Sequence, residues 1–107
     1  KGQILNLASI AGTMGFNNCS AYGASKHAMM GLTAALGAEG APHGIRVMAV
    51  CPAAVETALW DIGEEPEVLA KMMRPEQVAD EVIWALRRPR NLHVESVVLR
   101  NMQDPWR

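Results

Sequence analysis

The sequence reads as an α/β chain on a parallel sheet, forming the second half of a larger doubly wound domain. Three observations carry that reading. Apolar runs of strand length recur at residues 3–8, 45–51 and 94–100, and helix-like segments lie between them. The intervening stretches are long enough to cross back over a sheet, as parallel strands require. The runs are almost continuously apolar, the pattern of strands covered on both faces. Three strands and two main helices give thin cover, and the chain opens directly on a strand, so further chain is expected to complete the sheet. A complete small three-stranded domain is the alternative.

The elements follow in order. Residues 3–8 (QILNLA) form the first strand, and residues 9–20 a loop rich in Gly, Asn, Ser and Thr. Residues 21–39 form a helix dominated by Ala, Met and Leu, with Gly37 and Gly40 expected to fray its end, because glycine weakens a helix by up to about 1 kcal/mol relative to alanine. Pro42 between two glycines then stops the helix. Residues 45–51 (IRVMAVC) form the second strand, ended by Pro52. Residues 53–74 are irregular except for a short helix near 67–73. Pro75 opens the next helix, where its missing N–H costs nothing, although Arg74 is a poor cap before it. Val78, Ala79, Val82, Ile83 and Leu86 recur at helical spacing until Pro89, and residues 94–100 form the third strand.

Composition narrows the function. The chain has 107 residues, half of them apolar, and a formal net charge of -1. Near-neutrality argues against an electrostatic grip on nucleic acid or anionic membrane. The apolar fraction argues against disorder, and no run reaches the roughly 18 apolar residues of a membrane span. No secretory leader pattern is read at its start, and a cytoplasmic location is expected. Cys19 and Cys51 make no CxxC motif and no metal spacing with His27, His43 or His93, so they read as free thiols, and no metal is expected.

Tyr22 is the single tyrosine, and Lys26 follows it by one helical turn. An ammonium held near a phenol favours phenolate, and a phenol so tuned can exchange a proton with a carbonyl or hydroxyl oxygen. Ser9 lies at the carboxyl end of the first strand, where ligand sites of open α/β sheets form. Its hydroxyl can hydrogen-bond the same oxygen, and Gly12 is expected to let the backbone turn sharply away. The loop 51–57 leaves the same sheet edge after the second strand. By themselves, a lysine four after a tyrosine is usually a surface pair, and methionines at helical spacing are usually core.

The stretches Ile4-Leu5-Asn6-Leu7-Ala8-Ser9-Ile10-Ala11-Gly12, Ser20-Ala21-Tyr22-Gly23-Ala24-Ser25-Lys26-His27-Ala28, Gly44-Ile45-Arg46-Val47, Cys51-Pro52 and Val55-Glu56-Thr57 resemble the short-chain dehydrogenase/reductase family. The resemblance runs nearly the whole length and implies the carboxyl-terminal half of a Rossmann-type fold. It implies an NAD(P)-dependent oxidoreductase acting on a small-molecule carbonyl or alcohol. Tyr22 is then the general acid or base, Ser9 orients the substrate oxygen, and Lys26 stabilises the phenolate and holds the nicotinamide ribose. Pro52, Val55 and Thr57 match the loop around the nicotinamide amide, with Tyr22 and Lys26 sharing in cofactor binding. Residues 14–19 and 58–73 match the substrate pocket, which Trp60, Met72 and Met73 could line, with core packing an equal alternative.

The tail 91–100 is similar to the branch holding NADP-dependent 3-hydroxy acid dehydrogenases, which leans towards NADP over NAD. The helix with Tyr22 is expected to lie in a dimer or tetramer interface, with Gly31, Ala34, Ala35 and Ala38 permitting close approach. Ala53 departs from the glycine usual after the proline, which puts the loop backbone in question. No GxxxGxG occurs in the sequence, nor do the residue that selects NAD or NADP and the asparagine of a fourth catalytic position. An inactive truncated remnant and an oligomeric binding module stay open as rivals to the enzyme. His27, His43 and His93 read as packing, solvated or loop residues. Arg87, Arg88 and Arg90 read as cations at a helix carboxyl end, and Glu64, Glu65 and Glu67 as anions at a helix start.

Overall fold

The computed structural model describes residues 1–57 and 66–104. Strands β1 (Gly2–Leu7), β2 (Ile45–Pro52) and β3 (Ser96–Leu99) make one parallel sheet in the order β1-β2-β3. Gly2 pairs with Ile45 through to Leu7 with Val50, and Ala49 pairs with Ser96 through to Pro52 with Leu99. The helices are α1 (Ser20–Gly40), α2 (Pro66–Leu69) and α3 (Pro75–Leu86). The α/β reading therefore holds.

Side chains of β2 alternate between two cores. Ala49 and Cys51 pack with Ala8 against Met29 and Met30 of α1. Val50 faces the other way, into a cluster with Met73 and Val78 at the start of α3. The period of two along the strand thus sends α1 and α3 to opposite faces of the sheet. Burial on both faces, expected of all three strands, belongs to β2 alone. Val47 to Cys51 are all buried, whereas β1 is largely exposed and β3 alternates, because both lie at the edges of the described sheet.

Packing gives the glycines their reasons. The chain does turn tightly after Ser9, but Gly12 needs no left-handed backbone for it, since Gly44 alone among the described glycines has positive φ. Gly12 closes a 3-10 turn (Ile10–Gly12) that lies flat on α1. A Cβ there would sit 2.8 Å from the Lys26 carbonyl oxygen and 2.8 Å from Met30 Cγ. Gly37 and Gly40 do not fray α1. Both are buried, and a Cβ on Gly40 would stand 3.1 Å from Ile45 Cβ, so glycine lets the helix settle on β2. The helix continues into a 3-10 turn (Ala41–His43) and stops at left-handed Gly44, φ +70°. The short helix near 67–73 is only Pro66–Leu69, and the third strand is trimmed to four residues. Arg74 caps nothing with its own side chain. Gln77 instead accepts from the Arg74 backbone N–H at 2.9 Å.

Polar anchors hold the opposite end of the sheet. Arg46 donates to the carbonyls of Arg88, Pro89 and Leu92 and to Gln3 Oε1, tying β1 and β2 to the turn after α3. His93 shares a 2.7 Å hydrogen bond with the Val47 carbonyl. Arg88 donates to the Trp84 carbonyl and lies 4.4 Å from the centroid of its ring, the helix-end role expected for that cluster. On the α1 face, Asn6 donates to Thr33 Oγ1 at 2.9 Å while the buried Thr33 hydroxyl donates to the Met29 carbonyl.

Gly12→Ala forces the turn off α1 by overpacking. It is expected to destabilise the protein by about 1–3 kcal/mol in urea unfolding. An unchanged midpoint would show that the contact is not tight.

Candidate active site

The site forms where β1 and β2 end. Ser9 follows β1 in extended conformation, φ -161°, and is buried. Its Oγ accepts the Ala11 backbone N–H at 3.1 Å, which caps the 3-10 turn and aims the side chain. A hydroxyl that accepts one bond still has its own proton to donate. The following loop reaches α1 through Asn18, held at φ 59°, a conformation asparagine tolerates better than most residues.

Tyr22 lies in the first turn of α1, and its side chain is half exposed. Lys26 stands one turn on, with Nζ 5.5 Å from the centroid of the Tyr22 ring. The two side chains therefore share one face, as their spacing requires. His27 turns away and bonds the Gly23 carbonyl.

The loop after β2 is pinned at both ends. The Ala53 N–H donates to the Leu99 carbonyl at 2.8 Å. Val55 bridges Met73, with Glu56 N–H donating to the Met73 carbonyl and Met73 N–H to the Ala54 carbonyl. Ala53 does not require positive φ, so alanine fits this backbone.

These segments enclose a cleft of about 660 Å³. Ser9, Tyr22, Pro52, Val55 and Thr57 all line it, together with Phe16, Asn17 and Cys19 from the loop before α1. Lys26 is not on the wall and reaches the site through the Tyr22 ring. Met72 and Met73 do not line this cleft. Both are buried, Met73 against Val50 and Val78. Trp60, Glu64 and Glu65 lie outside the described residues. Asp104, which sequence reading overlooked, also lines the cleft. Its tail after β3 carries no motif, so nothing local marked it.

Cys19 and Cys51 are both unbridged. Cys51 is fully buried, with Sγ 3.5 Å from Met30 Sδ, and burial pushes its thiol pKa above the ordinary value. Among the described residues no cluster of three or more His, Cys, Asp or Glu could hold a metal, and no helix is long and apolar enough to cross a membrane.

Known proteins share this fold. The family model for the short chain dehydrogenases matches residues 1–67. A cyclohexanol dehydrogenase of Acinetobacter sp. (strain SE19) is 41% identical over 90 residues, covering 79% of this chain and 36% of its own length. The crystal structure of a betaketoacyl-ACP reductase from Bacteroides thetaiotaomicron superposes with TM-score 0.77 at 29% identity, covering 96% of this chain and 42% of that one. A serine dehydrogenase in complex with NADP+ shares the fold with TM-score 0.79 at 21% identity, covering 91% of this chain and 43% of that one. The chain thus spans well under half the length of these relatives.

Alkylation by iodoacetamide at neutral pH should modify Cys19 and spare Cys51 until the protein unfolds, because thiolate and access are both needed. Peptide mapping that finds Cys51 modified in the native state would contradict its burial.

Proposed function

We propose, for a chain that belongs to the short-chain dehydrogenase family, that it is the catalytic, carboxyl-terminal half of an NAD(P)-dependent oxidoreductase. The protein would move hydride between nicotinamide and the carbon of a carbonyl or hydroxyl substrate. One observation carries this. A single cleft gathers Ser9 and Tyr22 with Pro52, Val55 and Thr57, and Lys26 sits over the Tyr22 ring.

The residues suit the nicotinamide end of the cofactor. Pro52, Ala53 and Val55 offer an apolar wall for a flat ring, Thr57 offers a hydroxyl to an amide, and Lys26 an ammonium to ribose hydroxyls. When bound, the nicotinamide supplies or accepts the hydride. Everything else falls to the chain. Ser9 donates its hydroxyl proton to the substrate oxygen and fixes its position. In reduction Tyr22 gives its phenolic proton to that oxygen as hydride reaches the carbon, and in oxidation it takes the proton back. Lys26 holds a positive charge where the phenolate develops.

Two further features support a longer, assembled protein. β1 presents an open edge, with Ile4 and Leu7 exposed, and open edges in native proteins are paired or covered. Along α1 the exposed residues include Gly31, Leu32, Ala34, Ala35 and Ala38, an apolar and small-residue face suited to a second copy in a dimer or tetramer. No observation favours an inactive remnant or a separate binding module. NADP is retained as the preferred nucleotide on the likeness of the tail 91–100.

In the full-length protein, Tyr22→Phe should lower kcat by about 10²- to 10⁴-fold with the circular dichroism spectrum unchanged. Full turnover in that variant would remove Tyr22 from its role. Sedimentation of the full-length protein should show a dimer or tetramer, and a monomer at micromolar concentration would refute the α1 interface.

A further inference from the structure

The cleft that holds Ser9 and Tyr22 is walled mainly by apolar side chains, in the manner of small-molecule sites. Its apolar residues are not equally able to grip a ligand. Ala8, Ile10 and Ala11 are buried beneath the wall and show a ligand little surface. Pro52, Ala53 and Val55 belong to the loop after β2, the side assigned above to the nicotinamide ring. Phe16 is what remains. It is the single phenylalanine of the chain, it lines the cleft, and it is only partly buried, so much of its ring is available for contact.

The chain fixes where that ring stands. Phe16 lies on the short span 14–19 between the 3-10 turn that carries Ser9 and the helix that carries Tyr22. One end of the span is tied down by Thr13, whose hydroxyl and backbone N–H both donate to the Ile10 carbonyl, at 2.7 and 2.9 Å. The other end enters α1 through Asn18, at φ 59°. The single aromatic ring of the span is thus tethered between the two hydroxyl groups that would hold the reacting oxygen. An aromatic side chain offers a large apolar area, and neither buried core cluster includes Phe16. Its ring is therefore not needed to fill those clusters and is open to a ligand.

Resting on the reading of the same cleft as a dehydrogenase site, we propose that Phe16 determines which carbonyl compounds bind. The ring receives the apolar body of a ketone or secondary alcohol while its oxygen meets Ser9 and Tyr22. The substrate class is carbonyl compounds and alcohols that carry several carbons of hydrocarbon beside the reacting carbon, preferred over short ones because each methylene buried against the ring leaves water.

The test compares kcat/KM of the full-length protein for 2-butanone and 2-heptanone, with NADPH and NADH each supplied. The three added methylenes should raise kcat/KM by about tenfold or more, at about two- to fourfold for each one buried. Phe16→Ala should cut that ratio by about threefold or more, and Phe16→Leu should keep most of it. A wild-type ratio near one would overturn the proposal. So would a Phe16→Ala variant that loses activity on both ketones in the same proportion, since that is a structural effect. A second readout needs no turnover. Cys19 lines the same cleft, so 2-heptanone should slow its alkylation by iodoacetamide at a concentration where 2-butanone does not, and should protect it less in Phe16→Ala. Protection without turnover of either ketone would sink the dehydrogenase reading and leave Phe16 as the anchor of an apolar carbonyl ligand. Neither turnover nor protection would overturn the proposal together with that reading.

Discussion

The candidate site depends on how closely the turn after β1 can approach α1. Gly12 sits against the Lys26 carbonyl, at the level of the helix where the lysine and the tyrosine one turn before it project. A side chain there would hold the two segments apart. Ser9 is fixed on the same 3-10 turn by its bond to the Ala11 N–H, and the Gly23 position comes near the Ala11 carbonyl from the helix side. The relation of Ser9 to Tyr22 and Lys26 is therefore set by backbone contact rather than by flexible side chains. Backbone packing of this kind gives the sub-ångström positioning that proton transfer between small groups requires.

β2 is the second determinant. It is the one strand buried on both faces, and it separates the α1 core from the α3 core. Its carboxyl end runs directly into the loop with Pro52, Val55 and Thr57, which is braced by Leu99 on one side and Met73 on the other. Its amino end is held by Arg46 and by the His93 bond to Val47. Polar anchors thus hold one end of the sheet and the cleft opens at the other. Ligands of open α/β sheets bind in the crevice outside that end of the strands.

The chemistry divides between surfaces of unequal polarity. A mainly apolar cleft concentrates the effect of its few polar groups, since each acts in surroundings that screen poorly. Ser9 and Tyr22 bring hydroxyl groups to its wall, and Lys26 lies over the Tyr22 ring.

Local sequence carries the fold class, because apolar runs of strand length separated by helix-length stretches admit few arrangements other than a parallel sheet with crossovers. It also carries the Tyr22–Lys26 pairing, since a spacing of four on a helix puts both side chains on one face whatever surrounds them. Ser9 and the loop 52–57 were legible as members of one sheet edge, because strand ends in a parallel sheet lie together. The glycines of α1 were misread as weak points: helix propensity is a local quantity, and their use is the distance to β2 and Ile45. Asp104 was invisible, because its place on the cleft comes from how the tail folds back after β3 and from an ion contact with Arg100. The assignment of Met72 and Met73 to the core rather than to the cleft came from the same source. Periodicity and spacing are properties of neighbouring residues, so they survive in the bare sequence. Close approach and burial are properties of segments far apart in the chain, and they exist only once the chain has packed.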